Sequence, residues 1–328
     1  MTTTTMTPVE QGWAPSAPRC SVALAGGQRA LLGYACINLT LGGTVRTLRL
    51  ATLRARGAAG LREIVDANMA LLADVLEWNR HRGIAMFRLS SDLIPFGSHP
   101  EVDLAAVELD GATLARIRDA LPGMRLSMHP AQFTVLSTAD PVVLGRSIAE
   151  LDYHATLMDR LGIAGGDIVL HGGGVYGDRA ATARRLVGAI ALLQPGVRRR
   201  LRLENDERSW AVADLLPICE EAGVPLIVDN LHHALNGGTP LAELPWARIG
   251  ATWGNRRPKM HYSEQDPTKR PGAHTVGVTP GLFEATLAGV GLPAFDVMLE
   301  CKAKEQALLA LVEALGVGAP PHTPGGES

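Results

Sequence analysis

IVLHGGG, residues 168–174, is the stretch on which the fold turns. Three apolar β-formers read as a buried strand, yet the run finishes in His171 and then gives up all side-chain bulk over Gly172, Gly173 and Gly174. A strand that ends in an imidazole presents a metal ligand or proton carrier at its carboxyl end. The glycines would supply a tight turn needing positive φ and let a bulky group, such as a nucleic-acid backbone, come close.

The same pattern recurs along the chain. Strand candidates are ALLGYACI (30–37), IAMFRLS (84–90), MRLSMH (124–129), DIVLH (167–171), LRLEN (201–205), PLIVDN (225–230), KMHYS (259–263) and FDVMLE (295–300). Between them lie helical patterns with apolar residues at i, i+3, i+4, i+7. The clearest are residues 60–83, 141–162 and 212–223, each closed by a glycine. Strands alternating with helices imply parallel pairing through βαβ crossovers. Eight of them over about 270 residues is the size of a closed (β/α)8 TIM barrel. A doubly wound open sheet is the alternative, but no GxGxxG follows the first strand. The expected organisation is a disordered leader at 1–28, one barrel domain at 29–315 and a disordered tail at 316–328, both ends rich in Pro, Thr, Ser or Gly.

Bulk properties restrict the partners little. The chain has 328 residues, 46% of them hydrophobic, and a formal net charge of −2, which neither announces nor excludes nucleic acid. No apolar run reaches the roughly 18–20 residues of a membrane span, so no membrane partner is expected. Cys20, Cys36, Cys219 and Cys301 form no CxxC pair and suit reduced thiols in a cytoplasmic protein. No protein partner is evident, and a monomer is expected.

Nearly every strand ends in a group that can bind a metal or move a proton: His129, His171, Glu204, Asp229 with His232 and His233 just beyond, Lys259 with His261, and Glu300. In a barrel these ends converge at the carboxyl face. One such residue alone is commonly structural, a hydrogen-bonded histidine or a helix-capping carboxylate. Gathered together without a cation they would cost several kcal/mol per unpaired charge. A multinuclear divalent-metal site resolves that penalty.

Seven segments in this order, WNRHRGIAMFRLSSDLIPFGSHP, RLSMHPAQFTVLS, IVLHGGGVYGD, LENDERSW, LLPICEEAGVPLIVDNLHHALN, TWGNRRPKMHYSEQDPTKRPGAH and DVMLE, resemble the UV damage endonucleases, from about Leu32 to about Leu311. The resemblance implies a TIM barrel related to endonuclease IV and the xylose-isomerase-like proteins. It implies an enzyme that nicks double-stranded DNA immediately 5′ to UV photoproducts and some other lesions, leaving a 3′-hydroxyl and a 5′-phosphate. It further implies three divalent metal ions, typically Mn²⁺ with Zn²⁺ or Mg²⁺ as alternatives. The ligands carried over are His129, His171, Glu204, Asp229, His232, Lys259, His261, His274 and Glu300, with His99 a looser addition. Glu204, Lys259, His232 and Glu300 are also expected to be catalytic, Glu204 by bridging two metals that hold an activated water. An ammonium group has no lone pair, and in this family the lysine matching Lys259 carries a carboxyl group on Nζ. Read without the family, Lys259 would point to a phosphate or a carboxylate.

Gln132, Phe133 and Tyr34 are expected to probe the lesion, and Arg256, Arg257, Lys269 and Arg270 to rim the pocket and hold the DNA backbone. The run Arg198–Arg200 precedes a strand and should be a solvated patch on the opposite face. Ala131 stands where the family has glycine, and Cys301 where it has alanine. A sugar isomerase or epimerase on the same barrel is the alternative activity. A lesion-binding protein without turnover and an abasic-site nuclease are further readings.

Overall fold

The computed structural model describes residues 20–24 and 27–316. Nine strands are present among them: β1 (Ser21–Ala23), β2 (Arg29–Ala35), β3 (Met86–Leu89), β4 (Arg125–Met128), β5 (Asp167–His171), β6 (Leu201–Glu204), β7 (Leu226–Ile227), β8 (Lys259–Tyr262) and β9 (Asp296–Leu299). Strands β2 through β7 pair in parallel in chain order, and β2 also pairs with β9, which pairs with β8. Between β7 and β8 the ring closes through a single parallel bridge, Asp229 to His261, with the His261 N–H donating to the Val228 carbonyl at 3.0 Å. The architecture is an eight-stranded parallel barrel wrapped by helices.

Side-chain alternation sorts each strand into two faces. On β5, Ile168 and Leu170 join the main apolar core between sheet and helices, whereas Val169 meets Ile227 and Trp253 inside the barrel. Ala35, Met86 and Met298 form a second small interior cluster. Asp167 and His171 share the interior face with Val169, one at each end of the strand. This alternation is what aims every strand-end ligand candidate at one place.

The helices follow their sequence signals. Pro141–Leu161 is capped by Asp140, whose carboxylate accepts from the N–H of Val142 and Val143, and it ends at Gly162 with φ 87°. Val212–Ala222 ends likewise at Gly223. The helix expected at 60–83 spans Leu50–His81, extended at its start past a break at Gly57, where φ is 59°. Such a backbone interrupts the 3.6-residue pattern and hid the first turns.

One boundary is corrected. Residues 21–23, inside the stretch expected to be a leader, form β1, which runs antiparallel to β2 with Val22 opposite Ala30. Cys20 and Val22 are buried there. The remaining expectations for the two ends, residues 1–19 and 317–328, lie outside the described residues.

Candidate metal centre

Glu204, at the end of β6, is buried and its two oxygens face different neighbours. Oε2 lies 3.2 Å from His129 Nε2 and 4.0 Å from His171 Nε2. Oε1 lies 2.8 Å from His261 Nδ1 and 3.9 Å from His232 Nδ1. Three sets of donor atoms result, each tight enough to hold a cation: His129, His171 and Glu204; Glu204, Asp229 and His232; Glu204, His261 and Glu300. Glu204 belongs to all three.

Short-range contacts hold these side chains in place. His129 Nδ1 meets the Pro130 carbonyl at 3.0 Å, which holds the ring with Nε2 facing Glu204. Asp229 caps the helix Asn230–Asn236, its Oδ1 accepting from the His232 N–H at 2.8 Å. Asn205 clamps Asp229 by accepting from its N–H and donating to its carbonyl, and His232 Nδ1 donates to the Asn205 carbonyl. The chemistry of the set matches divalent cations, with carboxylate oxygens and imidazole nitrogens in one dry crevice. Asp229 Oδ2, His261 Nε2 and His171 Nδ1 are buried with no hydrogen-bond partner, an arrangement that protein contacts alone leave unsatisfied.

Electrostatics confirm how strongly the groups depend on one another. Burial pushes the Glu204 carboxyl up, but His261, His171 and hydrogen bonds from His129 and His261 outweigh it and hold it well below the usual carboxylate range. Glu300 behaves alike through Arg88 and His261. Burial opposes charge on His261, yet Glu204 and Glu300 raise it to about 9. Asp229 is pushed up to about 6, chiefly by burial. Burial also lowers His171 and His274.

Other expected residues fall around this core. His274 is half-buried beside the Glu300 backbone, close enough to feel the charges of Glu300 and His232, but joins none of the three sets. His99 lines a cleft of about 1060 Å³ that opens from His129, with Phe96, Phe133, Arg146 and Tyr153 among its other walls. Gln132 and Phe133 are exposed on the loop after β4, Phe133 to 73%. Lys269 and Arg270 are exposed on the loop after β8, on the same side as the donor sets. His233 is buried and hydrogen-bonds through Nε2 to the Thr239 carbonyl, a structural role.

Three expectations are corrected. Tyr34 lies within β2 on its outward face, fully buried, donating to Asn79 Oδ1 at 2.7 Å and accepting from Asn38 Nδ2, so its ring presents no exposed face to DNA in this structure. Arg256 and Arg257 precede β8 and therefore sit at the amino-terminal end of the barrel. Arg256 reaches the carbonyls of Arg199 and Gly165, and Arg257 pairs with Asp296 at 2.8 Å. Within Arg198–Arg200, Arg200 is buried and paired with Asp159 rather than solvated. Lys259 lies one layer below His261, with Nζ 3.3 Å from Asp167 and its pKa lowered to about 8 by burial.

Two neighbours were missed. Arg88, on the inward face of β3, pairs with Glu300 at 2.5 Å; a lone charge within an apolar strand was its signal. Glu207 stands 4.0 Å from His232 Nε2 at the mouth, in a loop where no periodicity marks it.

A parallel eight-stranded barrel that gathers imidazoles and carboxylates at the carboxyl ends of its strands is the frame of a barrel enzyme. A sequence model of the UV-endonuclease UvdE family matches residues 30–318, and the chain belongs to that nuclease family. It is 32% identical over 292 residues to the UV DNA damage endonuclease of Clostridium perfringens, covering 87% of this chain and 70% of that one. The crystal structure of SacUVDE superposes with a TM-score of 0.78 at 33% identity, over 88% of this chain and 98% of that one. Endonuclease IV from Thermus thermophilus shares the fold, with a TM-score of 0.51 at 17% identity over 74% of this chain and 93% of that one.

Proposed function

We propose that the chain nicks double-stranded DNA immediately 5′ to UV photoproducts, and to some other lesions, leaving a 3′-hydroxyl and a 5′-phosphate. It works as a monomer in the cytoplasm and takes three divalent cations, Mn²⁺ foremost. The carrying observation is Glu204, whose two oxygens face separate histidine pairs and which is shared by three donor sets. His129 and His171 would hold one cation, Asp229 and His232 a second, His261 and Glu300 a third, each with Glu204.

Bound there, divalent cations lower the pKa of water and stabilise charge on phosphate oxygens. The chain's own residues prepare the place. Pro130 and Asn205 carbonyls fix the imidazoles of His129 and His232, and Arg88 holds Glu300 ionised. Lys269 and Arg270 would meet the DNA backbone, and Gln132 and Phe133 would enter the duplex where a lesion weakens stacking, a reading supported by their exposure. The cleft beside His129 offers unstacked bases somewhere to go.

Carboxylation of Lys259 has its own support. Ser127 Oγ, Arg88 Nε and Arg202 Nε are buried without hydrogen-bond partners, all of them donors on the inward faces of β4, β3 and β6, the same interior that Lys259 enters from β8. A carbamate would bring two acceptor oxygens among them. A lysine kept near pKa 8 also has the neutral amine that reacts with carbon dioxide. Carbon-13 NMR after equilibration with labelled bicarbonate would show the carbamate signal, and Lys259→Arg would abolish it.

An incision assay on an end-labelled duplex carrying one photoproduct tests the activity, with Mn²⁺, with chelator, and with Glu204→Gln. A single metal-dependent nick 5′ to the lesion, lost in the variant, is expected. Wild-type rates in Glu204→Gln would overturn the assignment, and metal binding without any nick would favour the alternative, a sugar isomerase or epimerase.

A further inference from the structure

Among the described residues, two aromatic side chains are more than about one-third exposed, Phe133 at 73% and Tyr176 at 54%. In a chain with 4% aromatic residues the remaining described rings are mostly buried, so two rings left in water on one end of the barrel call for a reason. Phe133 follows β4 and Tyr176 follows β5, and their loops pack together. Ser137 Oγ donates to the Gly174 carbonyl at 3.2 Å, and Arg185 Nε donates to the Ser137 carbonyl at 3.1 Å.

The Tyr176 loop is held rigidly. Trp210 Nε1 donates to the Gly173 carbonyl at 2.7 Å, and Thr182 Oγ1 donates to the carbonyls of Val175 and Asp178. The ring stands over the Arg185 guanidinium at 5.9 Å. Its backbone has φ 54°, in the left-handed region that a bulky side chain occupies only under constraint. A loop this well tied, with its one ring displayed to solvent from a strained backbone five residues beyond His171, is built for a contact made outside the protein.

We propose that Tyr176 is a second DNA-stacking residue, which lies against a nucleobase unstacked by the lesion while Phe133 enters from the neighbouring loop. The inference rests on the reading of the chain as a lesion nuclease and adds a specificity-determining side chain to it. Arg185 behind the ring strengthens the stack by polarising the aromatic face and supplies a cation near the backbone. Preorganisation by the Trp210, Thr182 and Ser137 contacts means that little ordering remains to be done on binding.

The test compares wild type, Tyr176→Phe and Tyr176→Gly, each in metal-loaded full-length protein. Measured quantities are affinity for a photoproduct duplex and its undamaged counterpart, thermal stability, and fluorescence of a 2-aminopurine placed beside the lesion. Tyr176→Gly is expected to lose roughly tenfold in lesion-duplex affinity and to leave the undamaged duplex nearly unaffected. Its melting temperature should stay level or rise, because glycine relaxes the left-handed backbone. Tyr176→Phe should restore binding and quenching. A Tyr176→Gly protein that binds the lesion as tightly as wild type, or that loses both duplexes equally, overturns the proposal. If wild type itself shows no preference for the lesion, the lesion-nuclease reading has failed instead, and the two failures are told apart by that control.

Discussion

Tyr34 and Phe133 are aromatic residues of similar size, one within a barrel strand and one beyond a strand end, and they have opposite fates. Phe133 stands in a loop beyond a strand end and is exposed, whereas Tyr34 occupies an outward register of β2 and is buried against the helices. Its hydroxyl both donates to Asn79 and accepts from Asn38, and all three groups are buried. Tyr34→Phe should therefore cost about 1–3 kcal/mol in urea unfolding, because two amides lose a partner, and should leave binding of a lesion duplex unchanged. A loss of lesion binding at constant stability would restore Tyr34 to the DNA surface. Phe133→Ala is expected to do the reverse, leaving stability within about 0.5 kcal/mol and weakening lesion binding roughly tenfold. At this scale the sequence reveals donor type and spacing to a strand end, which is why His129, His171, Glu204, Asp229, His232, His261 and Glu300 were all legible. It does not reveal which face a residue within a strand occupies, and Tyr34 and Arg88 were misread or missed for that reason.

At the scale of elements, a strand end and a strand start lie on opposite ends of the barrel, and the chain direction alone decides which. That rule places Arg198–Arg200 away from the site, and it places Arg256 and Arg257 there too, since both precede β8. The glycines after β5 have a similarly local reason. A Cβ at Gly172 would stand 2.5 Å from Trp210 Cδ1, and Gly173 has φ 80° with Val135 and Ser137 at 2.6 Å from its missing Cβ. The turn is bare because Trp210 and the β4 loop fill the space, whatever else approaches. Gly172→Ala should destabilise by about 1–3 kcal/mol and, by shifting His171, weaken metal binding; calorimetric metal titration alongside urea unfolding would read both. The helix Pro141–Leu161 carries a different signature. His154 is buried, with Nδ1 donating to the Glu150 carbonyl at 2.7 Å, Nε2 without a partner, the Glu150 carboxylate 3.7 Å away and the His129 imidazole nearby. Burial lowers its pKa from 6.5 to about 4. The unfolded chain thus takes up a proton that the folded protein refuses. Stability is unaffected above the unfolded value, falls as pH drops through 6.5, and reaches its full loss of about 3 kcal/mol below about 4. His154→Asn should flatten that part of the stability profile, and a profile identical to wild type would show that His154 is protonated in the fold.

Across the whole molecule the barrel interior is charged at both ends and apolar between. The carboxyl end holds the donor sets around Glu204. The amino end holds Asp167 and Asp296 among Arg125, Arg202, Arg256, Arg257 and Lys259, with Trp253 flanked by the guanidiniums of Arg125 and Arg202, each 5.4 Å from its ring. Five cations meet two carboxylates, so Asp167 carries an unusual share of the compensation: it pairs with Arg202 at 2.9 Å, Lys259 at 3.3 Å, Arg125 at 3.4 Å and Arg256 at 3.5 Å. None of this was legible beforehand, since an aspartate opening an apolar strand looks like a helix-to-strand turn residue until the barrel closes around it. Removing that one charge while keeping its shape isolates the effect. Asp167→Asn should destabilise the fold by about 3–5 kcal/mol in urea unfolding, although it lies at the far end of the barrel from Glu204, because buried cations are left without a counter-charge. Lys259 is the member that can escape by losing its proton, its pKa already being near 8. In bicarbonate-free buffer, where Lys259 carries no carboxyl group, Asp167→Asn combined with Lys259→Met should therefore recover part of the loss, and the double-mutant cycle reads the coupling directly. Additive losses would mean that Asp167 acts through its arginines alone and that Lys259 is neutral in the folded protein.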